Sequence, residues 1–180
     1  MRNIILSILF ICVFFSCSKE KLKGISLLGF SIGIPDEWKR IKMKGIDSET
    51  YGLSTPQGDT VFIDYGKFSN EFNETIKVFS FTQIKKYDSL KMNTKDLKVS
   101  LTPHIDQNQA VFHKEYYYYL NFEDIQGKVR VPKQIGKGIT GISFRNINGS
   151  ENHLTIYGKN LRLKEQNQLL ESFKTIKFTH

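Results

Sequence analysis

A chain of 180 residues with a formal charge of +8 is long enough for one domain with a buried core. Both of its cysteines, Cys12 and Cys17, lie at the N-terminal end, so the rest of the chain cannot form a disulfide, a cysteine–zinc site or a cysteine nucleophile. The lysines are scattered without a dense basic block, which suits solubility or an acidic partner and argues against a nucleic-acid groove.

The chain opens Met1-Arg2-Asn3, continues as the apolar run Ile4 to Phe15, and breaks at Ser16-Cys17. A basic start, a short apolar stretch and a small residue at the break are the three parts of a secretory signal. A transmembrane helix needs about 20 apolar residues, more than this run offers, and no second apolar span follows. An uncleaved anchor or an ordinary buried helix are the competing readings.

Phe14-Phe15-Ser16-Cys17 resembles a lipobox, and Phe-Ser-Cys-Ser-Lys resembles the start of many Bacteroidetes-type lipoproteins. Phe14 and Phe15 depart from the leucine and small residues usual there. The resemblance implies cleavage before Cys17, a diacylglycerol on its sulfur and an added acyl chain such as palmitate. It also implies an envelope location on a lipid anchor, at the outer membrane. One acyl chain binds only marginally, at about 0.8 kcal/mol per buried CH₂, and three would hold stably. The expected organisation is a signal peptide over 1–16, a lipidated tether over 17–24 and a single domain over 25–180. Loss of Arg2 with the signal leaves a mature charge of +7. Lys19, Lys21 and Lys23 read as a solvated linker, with attraction to anionic headgroups as the other possibility.

Within the domain, Leu27 to Ile34 is apolar and β-prone and ends at Pro35-Asp36. Trp38 to Met43 alternates as a modest strand. Pro56-Gln57-Gly58-Asp59 is a turn joining Tyr51–Thr55 to Thr60–Tyr65 in a hairpin. Thr75 to Leu90 fits both periods, and is read first as a strand with a helical turn toward Leu90. Leu97, Val99 and Leu101 alternate until Pro103 interrupts. Ala110 to Phe122 is the longest β-prone run, followed by the turn Glu123-Asp124 and a strand from Gln126 to Val131. Ile139–Phe144 and His153–Tyr157 are further strands. Leu163, Gln166, Leu170 and Phe173 share one helical face, with Leu169 beside them, and Thr175–Phe178 closes as a short strand.

Seven or more closely spaced strands and one terminal helix predict an α+β domain, mainly antiparallel. Two end segments resemble the PsbP-type sandwich. They are Phe30-Ser31-Ile32-Gly33-Ile34-Pro35 with Trp38, and Leu169-Leu170 with Ser172-Phe173 leading to Ile176-Lys177-Phe178. That family has varied roles, so the resemblance implies a fold and no function.

Few residues suggest chemistry. Gly29-Phe30-Ser31-Ile32-Gly33 matches the nucleophile-elbow pattern, but Pro35 follows where a helix is needed, so a strand with two glycines is expected. Gly136-Lys137-Gly138 has the composition of a phosphate cradle in the wrong order for a Walker loop, leaving a glycine-rich turn in which Lys137 could meet an anion. His104 with Asp106, or His113 with Glu115, gives only two ligands on one strand face, so no metal and no cofactor is expected. Tyr116 to Tyr119 is the most unusual run: Tyr117 and Tyr119 share one strand face, suited to gripping a sugar or a protein. Asp88-Ser89-Leu90 resembles the O-glycosylation triplet of Bacteroidetes-type exported proteins, which makes Ser89 a modification candidate.

These readings lead to a non-enzymatic binding domain held at the envelope by Cys17, taking a protein or envelope ligand through Tyr117, Tyr119 and Lys137. Neutralising a toxin, as immunity proteins do, is one form of it. The rival class is a small envelope hydrolase using Ser31 or a histidine–carboxylate pair. A nucleic-acid partner is not expected.

Overall fold

The computed structural model describes residues 21–179 apart from 28, 46, 70, 71 and 73–75. The expected signal segment and Cys17 therefore lie outside the described residues. Twelve strands and three helices are described: β1 (Leu22–Leu27), β2 (Phe30–Pro35), β3 (Lys39–Lys42), β4 (Glu49–Ser54), β5 (Thr60–Gly66), β6 (Val78–Phe79), α1 (Phe81–Ser89), β7 (Lys98–Val99), α2 (Pro103–Asn108), β8 (Glu115–Phe122), β9 (Ile125–Pro132), β10 (Ile139–Phe144), β11 (His153–Lys159), α3 (Leu163–Phe173) and β12 (Lys177–Phe178).

An antiparallel sheet of seven strands, ordered β3-β4-β5-β11-β10-β9-β8, forms one layer. A three-stranded sheet, β1-β2-β12, and α3 cover it, with α3 packed on β2 and β10. The fold is thus α+β, mainly antiparallel, with a C-terminal helix, as the strand spacing predicts. Alternation along the strands sends one set of side chains inward. Phe30, Ile32 and Ile34 of β2 meet Leu53, Ile63, Ile142, Phe144 and Ile156 of the large sheet and Leu169 and Phe173 of α3. Trp38 is fully buried in the same cluster.

Four expectations need correction. The domain starts earlier than residue 25: Leu22, Lys23 and Gly24 belong to β1, paired from Leu22↔Pro35 onward, and the Lys23 ammonium also donates to the Trp38 carbonyl at 2.8 Å. Over the described residues 76–90 the longest element is a helix, not a strand. Ser80 and Gln83 form a reciprocal capping box that starts α1, and only Val78–Phe79 is strand. Pro103 does not merely interrupt a strand; it occupies the first turn of α2, where its missing N–H costs nothing. Residues 110–114 are not strand, because Ala110 has a φ of 55° and the Val111 N–H bonds back to the Asp106 carbonyl, closing α2.

In α3 the buried face is also rotated from the one expected. Leu163 is 51% exposed, whereas Glu165, Gln166, Gln168, Leu169, Ser172 and Phe173 are buried. Polar residues on this face hide its period. Ser172 is accommodated by donating to the Gln168 carbonyl at 2.9 Å.

A cleft at the end of the tyrosine strand

Strand register builds two rows on the face of the large sheet turned away from the core. One row runs Tyr119, Lys128, Ser143; the next runs Tyr117, Arg130, Gly141. Phe72 lies over the second row and is itself buried. A Cβ on Gly141 would stand 2.5 Å from the Phe72 ring, so the glycine leaves the space that the ring occupies. Lys128 holds Phe72 in place by donating to its carbonyl at 3.0 Å, with the lysine ammonium 4.9 Å from the Tyr117 ring centre.

Beside it, Arg130 and Glu115 form an ion pair at 3.0 Å with side chains 7% and 6% exposed. Such a pair needs both members, since removing one leaves a buried charge uncompensated. The Arg130 guanidinium also lies 5.7 Å from Phe72 and 5.9 Å from Tyr117, and the His113 ring meets Tyr117 edge-on at 5.7 Å. Tyr117 is therefore packed among His113, Lys128 and Arg130, while Tyr119 stays 57% exposed.

Tyr119 opens onto a cleft of about 770 Å³ at the β8–β9 turn. Tyr119, Lys128 and Ser143 form one wall, and Phe72, Phe122 and Phe178 add aromatic surface. Glu123 and Asp124 stand at the turn, facing Arg145 and the Asn146–Gly149 loop. Glu123, Asn146 and Asn148 have positive φ values of 42°, 52° and 53°, and asparagine tolerates that conformation better than most residues. The Asn148 amide ties the loop to the end of the chain by donating to the Thr179 carbonyl at 2.6 Å. The cleft offers aromatic surface, amides and charges of both signs. It suits a ligand with one apolar face and a polar rim better than a strongly anionic one.

The other sequence candidates lie elsewhere. Lys137 is exposed in the β9–β10 loop, at the opposite end of those strands from the cleft. That loop is closed on itself: the Lys137 N–H donates to the Gln134 carbonyl at 3.1 Å and the Gly138 N–H to the Asn160 side chain at 2.9 Å. Those amides are engaged within the protein. Ser89 is exposed at the end of α1, with its hydroxyl donating to the Lys86 carbonyl at 2.7 Å. Ser31 sits inside β2 opposite Ser26 and Lys177, in extended chain and not at a strand-to-helix elbow. His104 is on α2, not a strand, and contacts the Asn108 amide at 3.3 Å. Among the described residues there is no group of three or more His, Cys, Asp or Glu that could hold a metal, and no helix long and apolar enough to cross a membrane.

No protein-family model and no curated protein sequence matches the chain. A solved structure similar to it is the solution structure of cyanobacterial PsbP (CyanoP) from Synechocystis sp. PCC 6803. The two are 7% identical with a TM-score of 0.42, over 91% of this chain and 96% of that one. A likeness this distant identifies no function.

Alternation within Tyr116–Tyr119 puts Tyr117 and Tyr119 on one face, and the fold sets that face away from the core. Nothing local marks Phe72, Ser143, Arg145 or Phe178 as neighbours of Tyr119, because strand register and the seating of Phe72 on the sheet bring them together.

Proposed function

We propose that this chain is an envelope protein, anchored at the outer membrane through a lipidated Cys17, whose domain holds a protein or envelope ligand in the cleft beside Tyr119 without transforming it. The observation that carries the binding role is the exposed Tyr119 ring beside Lys128 in a cleft of about 770 Å³. Stacking on an aromatic ring with a polar tip recognises an apolar ligand face, and the surrounding amides and charges orient its polar groups. The anchor rests on the Phe15-Ser16-Cys17 sequence.

Two measurements test the two halves. The N-terminal peptide of membrane-fraction protein should begin at Cys17 with diacylglycerol and an acyl chain, and lose both in Cys17→Ala; an unmodified peptide would remove the anchor. For binding, fragments of the producing cell's envelope glycan and its extracted envelope proteins are titrated against the wild type and Tyr119→Ala. Loss of about one aromatic contact should weaken binding roughly tenfold. Ser31→Ala and His113→Ala should bind as well as wild type. Loss of a measurable hydrolytic activity on either change would establish the enzyme reading instead.

A further inference from the structure

The two edges of the seven-stranded sheet are built differently. At one end β3 is only four residues long and carries Lys39, Arg40 and Lys42, features that discourage pairing with another chain. At the other end β8 runs eight residues in unbroken register, from Glu115↔Pro132 to Phe122↔Ile125. It contains no proline and no bulge, and no charged side chain from Tyr116 to Phe122. Among the described residues, β9 is the sole strand paired with it.

We infer that β8 is a docking edge for a second copy of this chain, paired antiparallel about a two-fold axis at Tyr118. Tyr118 would then face Tyr118 of the second copy, Tyr117 its Tyr119, and Tyr116 its Leu120. Each pair matches in face, because residues two apart lie on one side of a strand. Aromatic cross-strand pairs of this kind stabilise sheets beyond their backbone bonds.

Charge complementarity selects both the occupant and the direction. The start of β8 is basic: Lys114 accepts a bond at its carbonyl from the Lys133 N–H at 2.9 Å, and the Lys133 ammonium lies 5.3 Å from the Tyr116 ring. The end of β8 is acidic, with exposed Glu123 and Asp124. Antiparallel pairing about Tyr118 sets Lys114 across from Phe122 of the second copy, next to its Glu123 and Asp124. Parallel pairing would oppose like charges at both ends. The chain thus supplies the complement of its own edge, and the two seven-stranded sheets would join into one.

The test is the mass of the full chain, purified from membranes in detergent, by sedimentation over a range of concentrations. A dimer is expected, and Tyr118→Lys, which sets two lysines face to face on the axis, should leave a monomer with the wild-type circular dichroism spectrum. A second variant covers the case in which Tyr118→Lys fails to fold. In a full chain carrying Cys12→Ser and Cys17→Ser, Tyr118→Cys should form a disulfide-linked dimer on mild oxidation. Facing residues in an antiparallel pair lie about 4.5–5.5 Å apart, within disulfide range. Ser89→Cys, exposed on α1, should not cross-link. A wild type that stays monomeric at every concentration overturns the inference. So does a dimer that survives Tyr118→Lys and is not captured by Tyr118→Cys, since it would use another surface.

Discussion

Helices α1 and α3 are similar in length and opposite in what holds them. α3 buries six of its residues and lies across β2 and β10; α1 buries none. α1 is started by the Ser80–Gln83 box and steadied by an edge contact between Phe79 and Tyr87 at 5.7 Å, with Phe81 left 55% exposed. One helix exists because the core needs it, the other because its own ends favour it. Short isolated helices are marginal in water, so the stability of α1 should be local and that of α3 should be that of the whole domain.

Truncating a phenylalanine in each helix gives the largest contrast. Phe173→Ala removes a fully buried ring from the core and should cost about 3–5 kcal/mol, read as a lower midpoint in chemical denaturation. Phe81→Ala should change global stability by less than about 0.5 kcal/mol. Equal losses would mean that α1 is covered by something not seen in the isolated chain.

A smaller effect should come from Ser80→Ala, which removes the side chain that accepts from the Gln83 N–H at 3.2 Å. Caps of this kind contribute about 1 kcal/mol. Hydrogen exchange of the α1 amides should then accelerate severalfold, while amides in β10 and β11 keep wild-type protection. Acceleration across the large sheet would show that α1 unfolds with the core and would erase the distinction.

The same contrast explains what could be read from the residues alone. Ile139–Phe144 and the hairpin around Pro56–Asp59 were legible because both depend on short-range patterns, alternation and turn chemistry. α3 was legible as a helix, yet its inner face was misplaced because Glu165 and Ser172 are polar and buried. Ile76, Val78 and Ser80 alternate just before α1 and extend a strand signal toward it; burial does not select the helical period of α1, and the decisive capping box is two residues. The cleft was half legible. Alternation put Tyr119 on one face with Tyr117, whereas Phe72 and Phe178 come from segments more than 100 residues apart that meet only in the fold.

The smallest effect sharpens the comparison from the side of α3, which has a polar latch as well as its core face. Glu37, in the turn after β2, accepts from the Lys164 ammonium at 2.9 Å and from the Gln168 amide at 3.1 Å. The hydrogen bond from Lys164, then that from Gln168, holds the Glu37 carboxyl below its ordinary value of 4.5. A carboxyl that loses its proton more readily in the folded state adds stability above its unfolded value. That contribution disappears as the pH falls through the folded one. Glu37 is exposed, so solvent screening keeps the effect slight. Wild type should exceed Glu37→Gln in melting temperature near neutral pH, with the gap closing as the pH falls below about 4. Lys164→Met should behave like Glu37→Gln, and the double variant should lose little more than either one. A gap that persists into acid would mean that Glu37 holds α3 by its shape and not its charge. The helix would then depend on packing at its latch as it does at Phe173.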